Sequence, residues 1–187
     1  MPPTIIHRDE IINTSFEIIR KDGWEAINAR NIAKNIGSST KPIFRIYKNM
    51  EALKSDLIDE LNKYYNQFME LRISDENYLL TQGIAYIEFA RIEGNIFNIL
   101  FMHNTCIGQS IEEILNAEWN QKTLDNIIAI TNCSQKEAKS IFRDVWLYSH
   151  GIATQIVANH LNITEKDSKS LMINAFRCFA FFSLKEE

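Results

Sequence analysis

Residues 29–47, "ARNIAKNIGSSTKPIFRIY", decide how this chain is read. Their length suits a short helix, a glycine turn and a second short helix, the proportions of a helix-turn-helix. Ile32 and Ile36 stand four apart and share one helical face, and Ala33 is small where two helices cross closely. Gly37 supplies the left-handed turn, and Ile43 gives the second helix an apolar anchor. Asn28, just ahead of the first helix, carries a side-chain oxygen that can accept an orphan backbone N–H. A chance helical hairpin meets one or two of these requirements, not all of them.

The second helix contains Pro42. With Ser39 as its N-cap the helix runs from Thr40 to Tyr47 and Pro42 falls at its third position. The N–H groups of a first turn have no intrahelical acceptor, so proline is tolerated there. The periodicity puts Ile43, Ile46, Tyr47 and Met50 on the side that packs inward. Lys41, Arg45 and Lys48 follow at i, i+4, i+7 on the opposite side, with Thr40 and Phe44 beside them. A short helix with an apolar back and a basic front fits the major groove of DNA. The competing reading is a surface helix with ordinary solvated lysines.

Around this stretch the chain reads as helix. Of its 187 residues 45% are hydrophobic, enough for a core, and proline occurs only at Pro2, Pro3 and Pro42. The expected fold class is all-α: a three-helix head over residues 1–49 and a helical body over 50–187, about nine helices in total. A first helix is expected over Arg8–Lys21, with Ile12, Phe16 and Ile19 on one face, stopped at Asp22-Gly23. The short helix capped by Asn28 ends at Ile36. A long helix follows from Met50 to about Ile73, with Asn49 as cap and Leu53, Leu57, Leu61, Tyr64 and Phe68 as its stripe. Further helices are expected over 78–93, 95–102 and 110–131, with "HNTCIGQS" (103–110) as a loop. Ser134 and Glu137 have capping-box spacing and open a helix to about Asn159; Thr164 caps the last, to about Leu184.

Net charge is −4, but residues 1–55 carry nine Lys/Arg against six Asp/Glu, a net +3, and the remainder carries −7. A mildly basic head on an acidic body is consistent with a nucleic-acid partner without requiring one. Three widely spaced cysteines, Cys106, Cys133 and Cys178, argue against a disulfide framework. No apolar run approaches the ~20 residues of a membrane helix, and the N-terminus lacks a signal-peptide core. The expectation is a cytoplasmic protein with no membrane partner.

The stretch "INARNIAKNIGSSTKPIFRIYKNMEALKSDLID" (27–59) resembles the DNA-binding head of the TetR family of transcriptional regulators. Ile32-Ala33, Gly37 and Ser39 match the family's pattern, Ile43-Phe44 stands for its Leu-Tyr, Tyr47 for its Phe, and Glu51-Ala52-Leu53 for its Glu-x-Leu. The match covers about the first 55 residues; the rest is similar only in helix number and layout. The resemblance implies that Thr40, Lys41, Pro42, Phe44 and Arg45 face the groove of a double-stranded operator. Ser39 starts that helix, and Arg30, Tyr47 and Lys48 approach the DNA backbone. It implies a bacterial homodimer joined through the last two helices and reading a palindrome with half-sites about one turn apart. Three departures bear on affinity: Phe44 replaces a phosphate-reaching tyrosine, Met50 a lysine, and Ile46 a histidine. They motivate an alternative: a helical ligand- or partner-binding protein whose head no longer binds DNA.

In the body, "LMINAFRCFAFFSL" (171–184) is apolar on more than one face and belongs in an interior or an interface. Trp146, His150 and Gly151 resemble a subgroup of the family defined by a Trp, a His and a Gly there. Mid-helix Gly151 implies close helix packing. His150 either contacts an effector or donates to a carbonyl in the core. The family implies a pocket for an unidentified small-molecule effector, and its candidate lining is Phe68, Phe89, Phe97, Phe101, Trp119, Trp146 and His150. The same aromatics at helical spacing also read as ordinary core. His103 and Cys106 form half of a metal-ligand spacing with no second pair, so no metal is assigned. Ser149 beside His150 is no catalytic dyad, because adjacent helical residues point apart. No phosphate loop or nucleophile elbow is present, so neither cofactor nor enzymatic activity is assigned.

Overall fold

A computed structural model describes residues 6–102 and 109–183 of the chain. Among these residues every regular element is a helix. Packing divides them into two units, one drawn from Met1–Asn66 and Glu93–His103, the other from Gln67–Ile92 and Asn104–Glu187.

The first unit begins with α1 (Arg8–Asp22), which has Asp9 and Glu10 in its first turn and Arg20 and Lys21 in its last, the arrangement the helix dipole favours. Gly23 ends it at φ 80°. A 3₁₀ turn at Trp24–Ala26 leads to α2 (Ala29–Ile36), α3 (Lys41–Ile46) and the long α4 (Met50–Glu70). The core is built from Ile11, Ile19, Ile32, Ile43, Leu53, Leu57 and Leu61, none of which reaches solvent. Then α6 (Gly94–Phe101) packs against α1.

The sequence reading ends the head at residue 49; in the fold α4 as far as Asn66 packs with the first unit. Arg8 ties α1 to Asp56, and Phe16 meets Tyr64 edge-on at 5.0 Å. Glu93 supplies a further tie. Its side chain is 2% exposed, yet its carboxylate accepts from Arg20 Nε (2.9 Å), Arg20 Nη2 (2.5 Å) and the Tyr64 hydroxyl (2.7 Å). Burying a carboxylate is tolerable only with such partners.

The second unit comprises α5 (Tyr78–Ile92), α7 (Ile111–Leu115), α8 (Gln121–Thr131), α9 (Gln135–Asn159) and α10 (Glu165–Ser183). Helices α5, α9 and α10 pack mutually and α8 lies on α5 and α9, around Ile87, Leu124, Ile127, Ile141, Val145 and Met172. The expected capping box at Ser134 and Glu137 is present, and Thr164 caps α10 through the Asp167 N–H. Two expectations are corrected. The single helix over 110–131 is two helices separated by a 3₁₀ turn at Glu118–Asn120; Asn120 donates back to the Ile114 carbonyl across that break. Gly151 is exposed, and a Cβ there would meet nothing within 4 Å. The closely packed glycine is Gly83, where a Cβ would lie 2.4 Å from Met172 Cε. No described helix is long and apolar enough to cross a membrane.

Candidate nucleic-acid interface

The helix pair α2–α3 is set by local chemistry. Asn28 Oδ1 accepts from the Asn31 N–H at 2.9 Å and starts α2. Gly37, at φ 78° and ψ 33°, ends it in a Schellman turn: the Ser38 N–H donates to the Ala33 carbonyl (2.9 Å) and the Gly37 N–H to the Lys34 carbonyl (3.2 Å). That turn redirects the chain into α3.

Helix α3 begins one residue later than the sequence indicates. Its N-cap is Thr40, not Ser39, and Thr40 makes no side-chain capping bond; Pro42 sits at the second helical position. A capping side chain serves the N–H of the second or third helical residue, and Pro42 leaves only that of Ile43. The helix is held from behind instead. Ile43 is completely buried, and the Tyr47 N–H closes the helix on the Ile43 carbonyl at 2.9 Å.

Lys41, Phe44, Arg45 and Lys48 are exposed, as are Ser39 and Arg30; Thr40 and Pro42 are half-buried. Lys41, Arg45 and Lys48 form no ion pair with another described residue. Their charges face solvent uncompensated. Two positions depart from the sequence reading. Ile46, assigned to the packed side, is 37% exposed. Tyr47, assigned to the DNA backbone, is 7% exposed and turned inward, with its hydroxyl donating to Asp56 Oδ2 at 2.5 Å.

Asp56 joins three elements. Arg8 grips it through Nε (2.8 Å) and Nη2 (2.5 Å) and reaches Glu60 at 2.9 Å. Hydrogen bonds from Arg8 hold both carboxyls below the usual carboxylate range. Burial, then the Asp56 carboxylate, pushes the Tyr47 phenol well above its ordinary value. The end of α3, the start of α1 and the second turn of α4 therefore share one buried-to-exposed polar cluster. Arg8 and Asp56 lie 48 positions apart, and no periodicity in the sequence pairs them. Nearby, the Lys54 ammonium lies 5.3 Å from the Trp24 ring centroid.

The candidate effector residues are divided between the two units. Phe97 and Phe101 belong to the first unit and stack on each other at 5.1 Å. In the second, Phe68 and Phe89 are buried and meet edge-on at 5.0 Å, and the Arg72 guanidinium caps the Phe68 ring at 3.6 Å. Trp146 packs against the core, whereas Trp119 is 77% exposed in its 3₁₀ turn. His150 is half-buried, and its Nδ1 lies 2.9 Å from the Tyr86 hydroxyl. Burial lowers its pKa. A cavity of about 10 Å³, the room of one water molecule, lies among Leu79, Leu80, Ile127, Ile130 and Phe176, and none of the seven candidates lines it. His103 and Cys106 lie outside the described residues. Among the described residues no three His, Cys, Asp or Glu side chains cluster as metal ligands.

No protein-family model matches the sequence, and no curated protein matches it.

Proposed function

We propose that this chain is a ligand-responsive DNA-binding transcriptional regulator of the TetR type, working as a homodimeric repressor in the bacterial cytoplasm. The observation that carries the reading is α3 itself: a helix anchored by fully buried Ile43, with Lys41 and Arg45 outward and without an ion pair among the described residues, and Lys48 exposed just past its end. Lys41 or Arg45 suits guanine O6/N7, and Arg30 and Lys48 suit phosphates.

Two subunits meet through α9 and α10 in this proposal. Leu147 on α9 and Phe181 and Phe182 on α10 are 46%, 52% and 65% exposed, and Gly151 lies open beside Leu147's turn of the helix. Such apolar surface is stabilised by covering it. An effector releases the operator if it binds the DNA-incompetent arrangement of the dimer better than the competent one. The cavity among Leu79, Leu80, Ile127, Ile130 and Phe176 is far smaller than the ~300–1,000 Å³ of an ordinary ligand site and is not assigned to the effector.

The alternative, a helical binding protein that has lost DNA binding, draws support from one observation beyond the sequence. Phe44 has no hydroxyl, and the hydroxyl of Tyr47 is committed to Asp56, so neither aromatic reaches a phosphate with one.

Selection of duplexes from a random-sequence pool by the full chain separates the two. The regulator enriches a palindromic sequence, and Lys41→Ala and Arg45→Ala each weaken it by ~1–3 kcal/mol with relaxed sequence choice. Failure to enrich any duplex at low salt would falsify the DNA reading. Equilibrium sedimentation tests the dimer: Leu147→Lys with Phe181→Lys is expected to give monomers.

A further inference from the structure

Phe44 is an unusual side chain for its place. It is 48% exposed on α3, where the other exposed residues are Lys41, Arg45 and, at 37%, Ile46. At 100° per residue it lies roughly 80° round the helix from the Lys41–Arg45 ridge, while Ile43 lies opposite that ridge. It is therefore near enough to the ridge to face whatever Lys41 and Arg45 face. Among the described residues its ring stacks on no other aromatic ring; the anchor of α3 is Ile43, and the cluster at the helix end is made by Tyr47.

The surface that Lys41 and Arg45 suit electrostatically is polyanionic, and a phenyl ring makes no hydrogen bond to phosphate. Pressing it against the backbone desolvates phosphate oxygens without replacing their water. The major groove offers one apolar group at base edges, the 5-methyl of thymine. We propose that Phe44 is a specificity-determining residue that packs its ring on a thymine 5-methyl beside the bases reached by Lys41 or Arg45. The site thus takes a duplex with a thymine at a fixed position in each half-site. This rests on the DNA-binding reading and adds to it a base identity and a residue that reads it.

Removing the methyl alone tests the idea. Starting from the duplex that the full chain enriches, each thymidine is replaced in turn by deoxyuridine, which pairs identically and lacks only the methyl. Affinities are measured for the wild type, Phe44→Ala and Phe44→Leu, after circular dichroism has shown that both variants keep the wild-type helix content and melting. The expected result is one deoxyuridine position per half-site that weakens wild-type binding by about fourfold, the effect of one buried methyl. Phe44→Leu retains that sensitivity, and Phe44→Ala loses it. Tight binding with no sensitive thymidine, or a sensitivity that persists unchanged in Phe44→Ala, overturns the assignment while leaving DNA binding intact. Enrichment of no duplex overturns the DNA reading itself and this inference with it.

Discussion

Replacing Arg20 by alanine is expected to destabilise the first unit more than neutralising its partner does. Glu93 is 2% exposed and Arg20 is 40% exposed, so water reaches one partner and not the other. Without Arg20 the buried carboxylate keeps the Tyr64 hydroxyl at 2.7 Å and loses both guanidinium bonds. Breaking a buried pair from one side costs ~3–5 kcal/mol. The exposure of Arg20 places this pair near the low end, at about 3 kcal/mol. Glu93→Gln keeps the shape and an acceptor for Tyr64, and it leaves Arg20 able to reach water; its cost is about 1–2 kcal/mol. In a chain of this size each kcal/mol shifts the melting temperature by roughly 2–4 °C. The sharpest readout is the double variant. Adding Glu93→Gln to Arg20→Ala removes the orphaned charge and is expected to restore stability. Urea unfolding followed by Trp24 fluorescence, with Trp119 and Trp146 replaced by phenylalanine, reports on the first unit. A double variant no more stable than Arg20→Ala would refute the claim that an unpaired buried charge sets the cost.

Acid should loosen the cluster at the end of α3. Arg8 holds Asp56 and Glu60 below their ordinary range, so their stabilisation is complete above about pH 4.5 and is lost as pH falls through the lowered folded-state values. Because Arg8 is 42% exposed the effect is on the order of 1 kcal/mol, and Arg8→Ala should flatten the acid limb of a stability–pH curve. Tyr47→Phe removes one hydroxyl bond to a carboxylate that Arg8 still serves, and chemical denaturation should register a loss of about 1 kcal/mol. In the second unit burial lowers the His150 pKa, so the fold favours the neutral ring. Stability declines as pH drops below about 6.5, and His150→Gln should abolish that part of the slope. Gly83→Ala forces a Cβ to 2.4 Å from Met172 Cε in a fully buried site; calorimetry should show a loss of about 1–3 kcal/mol, exceeding the ~1 kcal/mol gained in helix propensity. Unchanged melting would mean that Met172 swings clear.

Helix periodicity, caps and breakers act over a few residues, so the sequence by itself determined most of the helices and several of their ends. Asn28, Gly37, Asn49, Ser134 and Thr164 stand at the ends they mark because each meets a local hydrogen-bonding need. The outward turn of Lys41 and Arg45 follows in the same way from Ile43 facing in. What a side chain meets after leaving its own helix is a matter of distant neighbours, and only the tertiary structure decided it. Tyr47 was legible as inward by periodicity and as outward by resemblance; Asp56, itself gripped by Arg8, resolves the conflict. Glu93 is buried because Arg20, 73 residues away in the chain, reaches its carboxylate. Gly83 and Gly151 are indistinguishable as mid-helix glycines until Met172 crowds one and nothing approaches the other. The seven aromatic residues proposed for a pocket share helical spacing, which specifies a face but not a partner; within the units Phe68 meets Phe89, Phe97 meets Phe101, His150 meets Tyr86, Trp146 packs on the core and Trp119 is exposed.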